Sequence, residues 1–309
     1  MKVLVTGGAG FIGSHIADAL LAKGHEVRII DDFSTGSEDN LRHSQGKIEL
    51  IRGSITDRQL LEKAIEGVDY VFHEAAQVSV VDSIKNPART WEINVTGTNR
   101  LLNAAVEYKV NKVVLASSAA VYGNEPGLPK TENMKTKPTS NYGTSKSMNE
   151  IRAERCHSVD RLKAVCLRYF NVYGPRQAPN SEYSGVISKF IKKMLCGERP
   201  TIYGDGKQTR DFIFVEDVVA ANLLVMESKK INSGIYNIAT GHEISLNDLV
   251  GTINEILDTK LEPIYEPERP DDIRRSVADI SKAKKDLGFK PKYKFKEGLK
   301  KTIDWYKKN

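Results

Sequence analysis

Short apolar runs alternate along the first half of the chain with stretches in which apolar residues return every three or four positions. MKVLV (1–5), HEVRIID (25–31), KIELIRG (47–53), DYVFHEA (69–75) and NKVVLAS (111–117) have the length and β-rich composition of strands. Between them, FIGSHIADALLAKG (11–24), closed by Gly24, and residues 57–66 and 94–108 carry helical spacing. This alternation predicts a parallel sheet with helices on both faces. A helix beginning near Tyr142 is followed by LKAVCLRYFNVYG (162–174), another buried-strand candidate.

After Gly174 the rhythm changes. Residues 175–185 read as loop, 185–195 as helix, and 204–227 as turn, strand and helix. YNIA (236–239) reads as a strand, 245–257 as a helix and 266–279 as a polar loop. The expected organisation is a larger part over 1–174 and a smaller α/β part over 175–309, with a cleft between them and chain crossovers from one to the other.

Charge changes this picture little. The formal net charge is +6, but the segment from Lys282 onward holds 11 Lys and three acidic residues, leaving the preceding 281 residues at −2. A lysine-rich solvated terminus accounts for that asymmetry better than a nucleic-acid surface. Cys156, Cys166 and Cys196 form no CxxC, which suits structural thiols in a reducing compartment. No apolar run reaches the roughly 18 residues of a membrane span, no signal segment precedes VLVTGG, and the six histidines show no metal-ligand spacing. The expectation is a soluble cytoplasmic protein with no membrane, nucleic-acid or metal partner.

Chemistry enters with TGGAGFIG (6–13), which sets Gly7, Gly10 and Gly13 between a strand and a helix. Such glycines permit a tight turn, close approach of a pyrophosphate, and close helix-on-sheet packing. The N–H groups opening the helix would meet the phosphates. Asp31 ends the next strand 24 residues beyond Gly7, where a carboxylate accepts from ribose hydroxyls and repels a 2′-phosphate. That pattern points to NAD rather than NADP in a Rossmann-type domain, with Asp32 able to share the role.

YGTSK (142–146) puts Tyr142 and Lys146 at i and i+4, on one helix face. A phenol is a poor base at neutral pH. An ammonium and a nicotinamide ring beside it would favour its ionised form. Tyr142 could then exchange a substrate hydroxyl proton while Lys146 tunes the phenol and anchors the cofactor ribose. Ser118, in VLASSAAVYG (114–123), ends a strand where a parallel sheet presents its functional edge, and Ser117 is a chemically equivalent rival.

Taken together, TGGAGFIG, DDFSTG (31–36), VFHEAA (71–76), INVTGT (93–98), SSAAVYG (117–123), YGTSK, LRYFNVYGPRQ (167–177), TRDFIFVEDV (209–218) and RPDDIRRSVAD (269–279) span almost the whole chain. They resemble the nucleotide-sugar epimerases of the extended short-chain dehydrogenase/reductase family. The resemblance implies Ser118, Tyr142 and Lys146 as the catalytic set. It implies tightly bound NAD held by Gly7, Gly10, Phe11, Ile12, Gly13, Asp31, Asp32, Ser54, Ile55, Ala75, Ala76, Asn94, Tyr142 and Lys146. For a UDP-sugar substrate it implies Ser118, Tyr142, Asn171, Val186, Tyr203, Arg210, Arg269 and Ser276. It also implies a homodimer through helices near 94–108 and 142–156.

The implied reaction inverts C4 of a UDP-hexose through a 4-keto sugar, interconverting UDP-glucose and UDP-galactose. A small residue at Ser276 leaves space for a 2-acetamido group. Alternatives are UDP-glucuronate epimerisation or decarboxylation and, in another class, a non-catalytic NAD-binding regulatory protein. Related dehydratases carry an Asp-Glu pair where this chain has Ala119 and Ala120, which cannot move a proton. Two departures from the family pattern are Ser54, where an Asp is frequent, and Glu74, where the family commonly has an apolar residue.

Overall fold

The computed structural model describes residues 1–178, 185–268 and 273–309. Seven parallel strands form the main sheet: β1 (Lys2–Thr6), β2 (Glu26–Asp31), β3 (Ile48–Arg52), β4 (Tyr70–His73), β5 (Lys112–Ser118), β6 (Ala164–Tyr169) and β7 (Ser233–Ile238). Their spatial order is β7-β6-β5-β4-β1-β2-β3. The order reverses direction at β1 and β4, so a crevice opens beyond their C-terminal ends, the usual ligand position in this architecture.

Helices cover both faces, which is why the strands read as continuous apolar runs. On one face α1 (Phe11–Ala22) lies against Val3, Val5 and Phe72. On the other, α2 (Arg58–Ile65), α3 (Thr98–Glu107) and α4 (Asn141–Ser158) cover Leu4, Ile30, Val71 and Leu115. Strand residues alternate between these two cores because successive side chains point to opposite faces. Each buried Leu, Ile or Val contributes about 1.5–3 kcal/mol relative to its exposed state.

The 94–108 segment differs from the single helix expected. Glu92–Gly97 is a π-helical turn that leads into α3. A Cβ on Gly97 would stand 2.8 Å from Ile55 Cδ1, so the glycine lets this turn sit close to the strand-end loop without displacing that side chain. Such turns locally widen a helix and often mark functional positions.

A second lobe forms around Tyr173, Phe212 and Phe214, packed by the helices Val186–Leu195, Leu246–Leu257 and Phe295–Tyr306. Between its contributions the chain returns to the first lobe. The helix α5 (Val215–Glu227) covers the α1 face of the sheet, and β7, which contains most of YNIA, extends the sheet beyond β6. Ala283, Leu287 and Phe289 then join that same core before the last helix goes back to the second lobe. Among the described residues no helix is long and apolar enough to cross a membrane, and no His/Cys/Asp/Glu group could hold a metal ion.

Candidate active site

The loop from β1 to α1 is bare backbone, and its glycines are there for different reasons. A Cβ on Gly13 would lie 2.2 Å from the Gly7 carbonyl oxygen, and one on Gly7 would lie 2.7 Å from the Ala75 nitrogen. A Cβ on Gly10 would approach only the Gly7 oxygen, at 3.1 Å, so it would otherwise project into open space. No side chain caps the start of α1 at Gly10, Phe11 and Ile12. A pyrophosphate would complete the helix start that the side chains leave uncapped, so the residues fit the NAD expectation.

Asp31 ends β2 beside this loop. Its two oxygens accept from the Ala9 and Phe33 N–H groups, each at 2.8 Å. Each oxygen retains a lone pair for a further donor. Burial pushes its carboxyl above the ordinary range, while the Phe33 and Ala9 bonds act against that rise. Asp32 is exposed and accepts from the Ser34 N–H. Ser54 accepts from Thr56 and offers no charge, and Ile55 is buried against Gly97.

A chain of hydrogen bonds fixes the next part of the crevice. The Ala75 N–H donates to Thr6 Oγ1, and the Thr6 hydroxyl stands 2.8 Å from His73 Nδ1. His73 Nε2 stands 2.8 Å from Thr98 Oγ1, which itself donates to the Asn94 carbonyl at 2.6 Å. Because the Thr98 proton is committed to Asn94, His73 donates from Nε2 and accepts at Nδ1. This is a neutral imidazole, and burial brings its pKa down to about 3, with Lys146 adding to the effect. Asn94 then accepts from the Gln77 N–H and donates to the Gln77 carbonyl and to Ser145. It therefore ties the segment carrying Ala75 and Ala76 to α4.

Ser117 and Ser118 separate cleanly. Ser117 Oγ is buried and donates to Glu150 Oε1 at 2.6 Å, inside a network in which Glu150 also receives Arg168 Nε and Nη2, each at 2.8 Å. Ser118, one residue on and therefore on the opposite face of the strand, is half-buried, accepts from the Ala120 N–H at 3.2 Å, and its hydroxyl acts on the Tyr142 phenol to favour ionisation. Sequence could not rank the two; the partners of Ser117 leave Ser118 as the hydroxyl at the crevice.

The helix α4 begins where Ser140 accepts from the Gly143 N–H at 3.0 Å. A Cβ at Gly143 would be 2.6 Å from the Ala120 carbonyl oxygen, so the glycine after Tyr142 lets the helix start abut the segment after Ser118. Lys146 Nζ lies 5.8 Å from the Tyr142 ring centroid. Lys146 donates to the Ala116 carbonyl at 2.8 Å. Burial pushes the Tyr142 phenol up to about 12, against the influence of the Ser118 hydroxyl and with help from the Glu74 charge. Burial also brings Lys146 down to about 8, against the pull of Glu74, Cys166 and Glu150. In the protein alone the phenol is therefore protonated, because its loss of solvent outweighs the Ser118 hydroxyl that favours ionisation.

Glu74 faces this same cluster. Its Oε1 accepts from the Tyr169 hydroxyl at 2.9 Å, and Asn222 Nδ2 donates to that hydroxyl at 2.8 Å. Burial pushes its carboxyl up to about 7, opposed by the Tyr169 bond and the Lys146 charge. The departure at this position was visible in the sequence, but its partner on β6, 95 residues away, was not.

Of the expected sugar-nucleotide residues, Val186, Tyr203 and Arg210 lie on separate elements of the second part of the chain. The Asn171 carbonyl accepts from the Ile213 N–H, while Val186 opens the helix over Val186–Leu195 and Tyr203 is exposed. Arg210 Nη1 donates to the Thr209 and Ile273 carbonyls, at 2.8 and 2.5 Å. Ser276 is buried, and Arg269 lies outside the described residues.

Comparison with known proteins accords with this geometry. The model of the NAD dependent epimerase/dehydratase family matches residues 3–239. A protein of Methanocaldococcus jannaschii, provisionally named as a UDP-glucose 4-epimerase, is 43% identical over 309 residues, covering 99% of both chains. The solved UDP-glucose 4-epimerase of Thermotoga maritima with UDP-glucose is 40% identical, with a TM-score of 0.95 over 100% of this chain and 99% of that one. A UDP-N-acetylglucosamine 4-epimerase from Methanobrevibacter ruminantium M1, in complex with UDP-N-acetylmuramic acid, is 41% identical, with a TM-score of 0.95 over 99% of this chain and 98% of that one. Further relatives include UDP-sugar decarboxylases. With its glycine loop, Asp31 and the clustered Ser118, Tyr142 and Lys146, this chain belongs to the NAD-dependent epimerase/dehydratase family, in the nucleotide-sugar epimerase group of the extended short-chain dehydrogenases/reductases.

Proposed function

We propose that this protein inverts C4 of UDP-hexoses, interconverting UDP-glucose and UDP-galactose and accepting their 2-acetamido counterparts. The observation that carries the reading is the start of α4 abutting the segment after Ser118 at the end of β5, with Lys146 beside the Tyr142 ring and only Ala119 and Ala120 following Ser118. That set can move one hydroxyl proton back and forth, but has no second acid–base group after Ser118 to expel water from C6.

The residues that would hold NAD are Gly7, Gly10 and the first turn of α1 from Phe11 to Gly13 for the pyrophosphate, Asp31 for the adenosine ribose, and Lys146 for the second ribose. When bound, NAD supplies the reversible oxidant for C4. Tyr142 takes the proton from O4, and Ser118 holds that oxygen by its hydroxyl. Burial makes the phenol hard to ionise by itself, so the cations around it must offset that cost during catalysis. The resulting 4-keto sugar turns about its diphosphate link and takes the proton back from Tyr142 with the opposite C4 configuration. Asn171, Val186, Tyr203, Arg210 and Arg269 would hold the UDP portion, where guanidinium donors suit the diphosphate. The small Ser276 side chain leaves space at C2 of the sugar.

We also propose a homodimer through the helices near 94–108 and 142–156. Met148 and Ile151 on α4 are exposed, as are Ile84 and Trp91 on the helical segments Val80–Lys85 and Pro87–Trp91, and exposed apolar groups of this kind suit a partner surface.

The test is product chromatography after incubating purified protein, without added NAD, with UDP-glucose, UDP-N-acetylglucosamine and UDP-glucuronate. C4-inverted hexoses are expected; release of carbon dioxide or turnover of the glucuronate alone overturns the hexose reading. Tyr142→Phe should keep the fold and bound NAD while turnover falls about 10²–10⁴-fold, the usual worth of a positioned proton carrier.

A further inference from the structure

We propose that Asp18 on α1 is a positioning residue that sets how long NAD stays bound, by latching the stretch beside the adenosine site to the turn that leads into the second lobe. The inference rests on the NAD placement given above and not on the identity of the sugar. Asp18 takes one partner from each side. Its Oδ1 accepts from Ser44 Oγ at 2.6 Å, and its Oδ2 accepts from Arg176 Nη2 at 2.6 Å. Ser44 closes the 3₁₀ helix Glu38–Ser44 that follows β2, whereas Arg176 lies two residues beyond Gly174.

The first partner belongs to the wall of the adenosine site. After Asp31 the chain passes against the glycine loop: the Ser37 N–H donates to the Ala9 carbonyl at 3.0 Å, and Asn40 Nδ2 donates to the same oxygen at 2.9 Å. A Cβ on Gly36 would stand 2.9 Å from the Ala9 Cβ, so this stretch lies directly on the loop that would carry the pyrophosphate. The Ala9 N–H in turn donates to the Asp31 carboxylate expected to hold the ribose. Residues 31–44 therefore border the adenosine side, and Asp18 holds their far end. Leu41 is buried in the same core as Ile16, Ala17 and Leu20, so apolar packing already fastens this stretch to α1. Folding by itself does not call for a carboxylate shared with a residue from the other end of the crevice.

The second partner is held just as closely. Arg176 has φ +67°, a left-handed backbone that a residue with a Cβ rarely adopts, and its side chain is only 11% exposed. Such a conformation persists where the surroundings fix it. His15, one turn before Asp18 on the same face of α1, donates from Nε2 to the Pro175 carbonyl at 3.0 Å, so α1 grips this turn at two successive residues. Next to them the Gln177 carbonyl accepts from the Tyr306 hydroxyl, on the last helix of the second lobe. The guanidinium bond to the carboxylate is of the charge-assisted kind, roughly twice as strong as a neutral one. Asp18 thus joins the helix behind the pyrophosphate, the stretch along the adenosine and a turn anchored to the second lobe. Lifting that stretch to release NAD has to break the Ser44 bond, and Arg176 keeps the carboxylate where it makes that bond.

The test follows NAD itself, with no sugar present. Protein loaded with radiolabelled NAD is chased with excess unlabelled NAD, and the label retained on the protein is counted over time. Asp18→Ala leaves a good helix former on α1. It is expected to release NAD about tenfold faster or more, the worth of one hydrogen bond to a charged group. Ser44→Ala and Arg176→Met each remove one arm of the latch and should each speed release, by less than Asp18→Ala does. Lys23→Met is the control: Lys23 Nζ, just past the end of α1, pairs with Glu227 Oε1 on α5 at 2.8 Å, an ion pair at the same helix that involves neither Ser44 nor Arg176. Its release rate should match that of the unaltered protein. An unchanged rate in Asp18→Ala overturns the proposal. An equal acceleration in Lys23→Met overturns it too, since that result marks a general loosening of α1. If Asp18→Ala does not fold, Ser44→Ala carries the same decision. The chase reads bound NAD and no turnover, so a protein that fails to invert UDP-hexoses still reports on Asp18, and the two failures are told apart.

Discussion

Replacing Arg168 by Met should expose how strongly the end of β5 depends on one buried ion pair. Arg168 and Glu150 are 2% and 4% exposed and meet through two parallel hydrogen bonds of 2.8 Å, while Ser117 donates to the same carboxylate at 2.6 Å. The guanidinium also lies 4.7 Å from the Tyr122 ring centroid. Taking away one partner of such a pair strands the other in an apolar interior, which costs about 3–5 kcal/mol. For a chain of this length that corresponds to a fall in Tm of roughly 6–10 °C, at about 2 °C per kcal/mol. Urea unfolding at one fixed, saturating NAD concentration gives the free energy, since cofactor linkage then remains constant. Arg168→Met combined with Glu150→Gln should recover about 2 kcal/mol or more of the single-mutant loss, because no charge is left uncompensated. A single-mutant loss under about 1 kcal/mol, or a double mutant no better than the single, would refute this account of the network.

Gly13→Ala sets a methyl 2.2 Å from the Gly7 oxygen, so α1 must retreat by about 1 Å to reach ordinary contact; a loss of about 1–3 kcal/mol and depleted NAD in the purified protein are expected, measured by releasing and assaying the nucleotide. Gly24→Ala is the matched control: at φ +77° with open space around it, it should cost about 1 kcal/mol and leave NAD content unchanged. His73 predicts an acid dependence of stability. Its folded pKa is depressed to about 3 against an ordinary value near 6.5, so between these values the unfolded chain binds the extra proton and stability rises with pH. The His73 contribution should fall by about 1.4 kcal/mol per unit as pH drops through that window, and the difference between wild type and His73→Asn in urea titrations from pH 6.5 downward should show that slope, which buried carboxyls common to both leave unchanged.

What could be read from sequence was what local spacing encodes. The glycine loop, Asp31 24 residues beyond Gly7, and Tyr142 four residues before Lys146 are each set by one turn or one helix, and each was legible. Ser117 and Ser118 were not separable, because both end the same strand and only Glu150 and Arg168, from other elements, decide which of them is occupied. The pairing of β7 with β6 was hidden for the same reason: a second-lobe excursion lies between them, and sheet neighbours leave no mark on each other's periodicity. The protonated state of Tyr142 was also out of reach, since it depends on how much solvent the fold removes, whereas the spacing of YGTSK reveals only the nearby ammonium.

The repeated passage of the chain between lobes constrains any opening of the crevice. The backbone leaves the sheet after β6, comes back with α5 and β7, departs again, returns with the stretch around Ala283 and departs once more for the final helix. A single flexible joint could not swing the lobes apart; several connectors would have to bend in concert. Severing the chain near Gly174 would strip α5 and β7 from the sheet, baring the outer edge of β6 and the apolar surface beneath α5, so the nucleotide-binding half should behave as a sticky fragment when made without the residues that follow it.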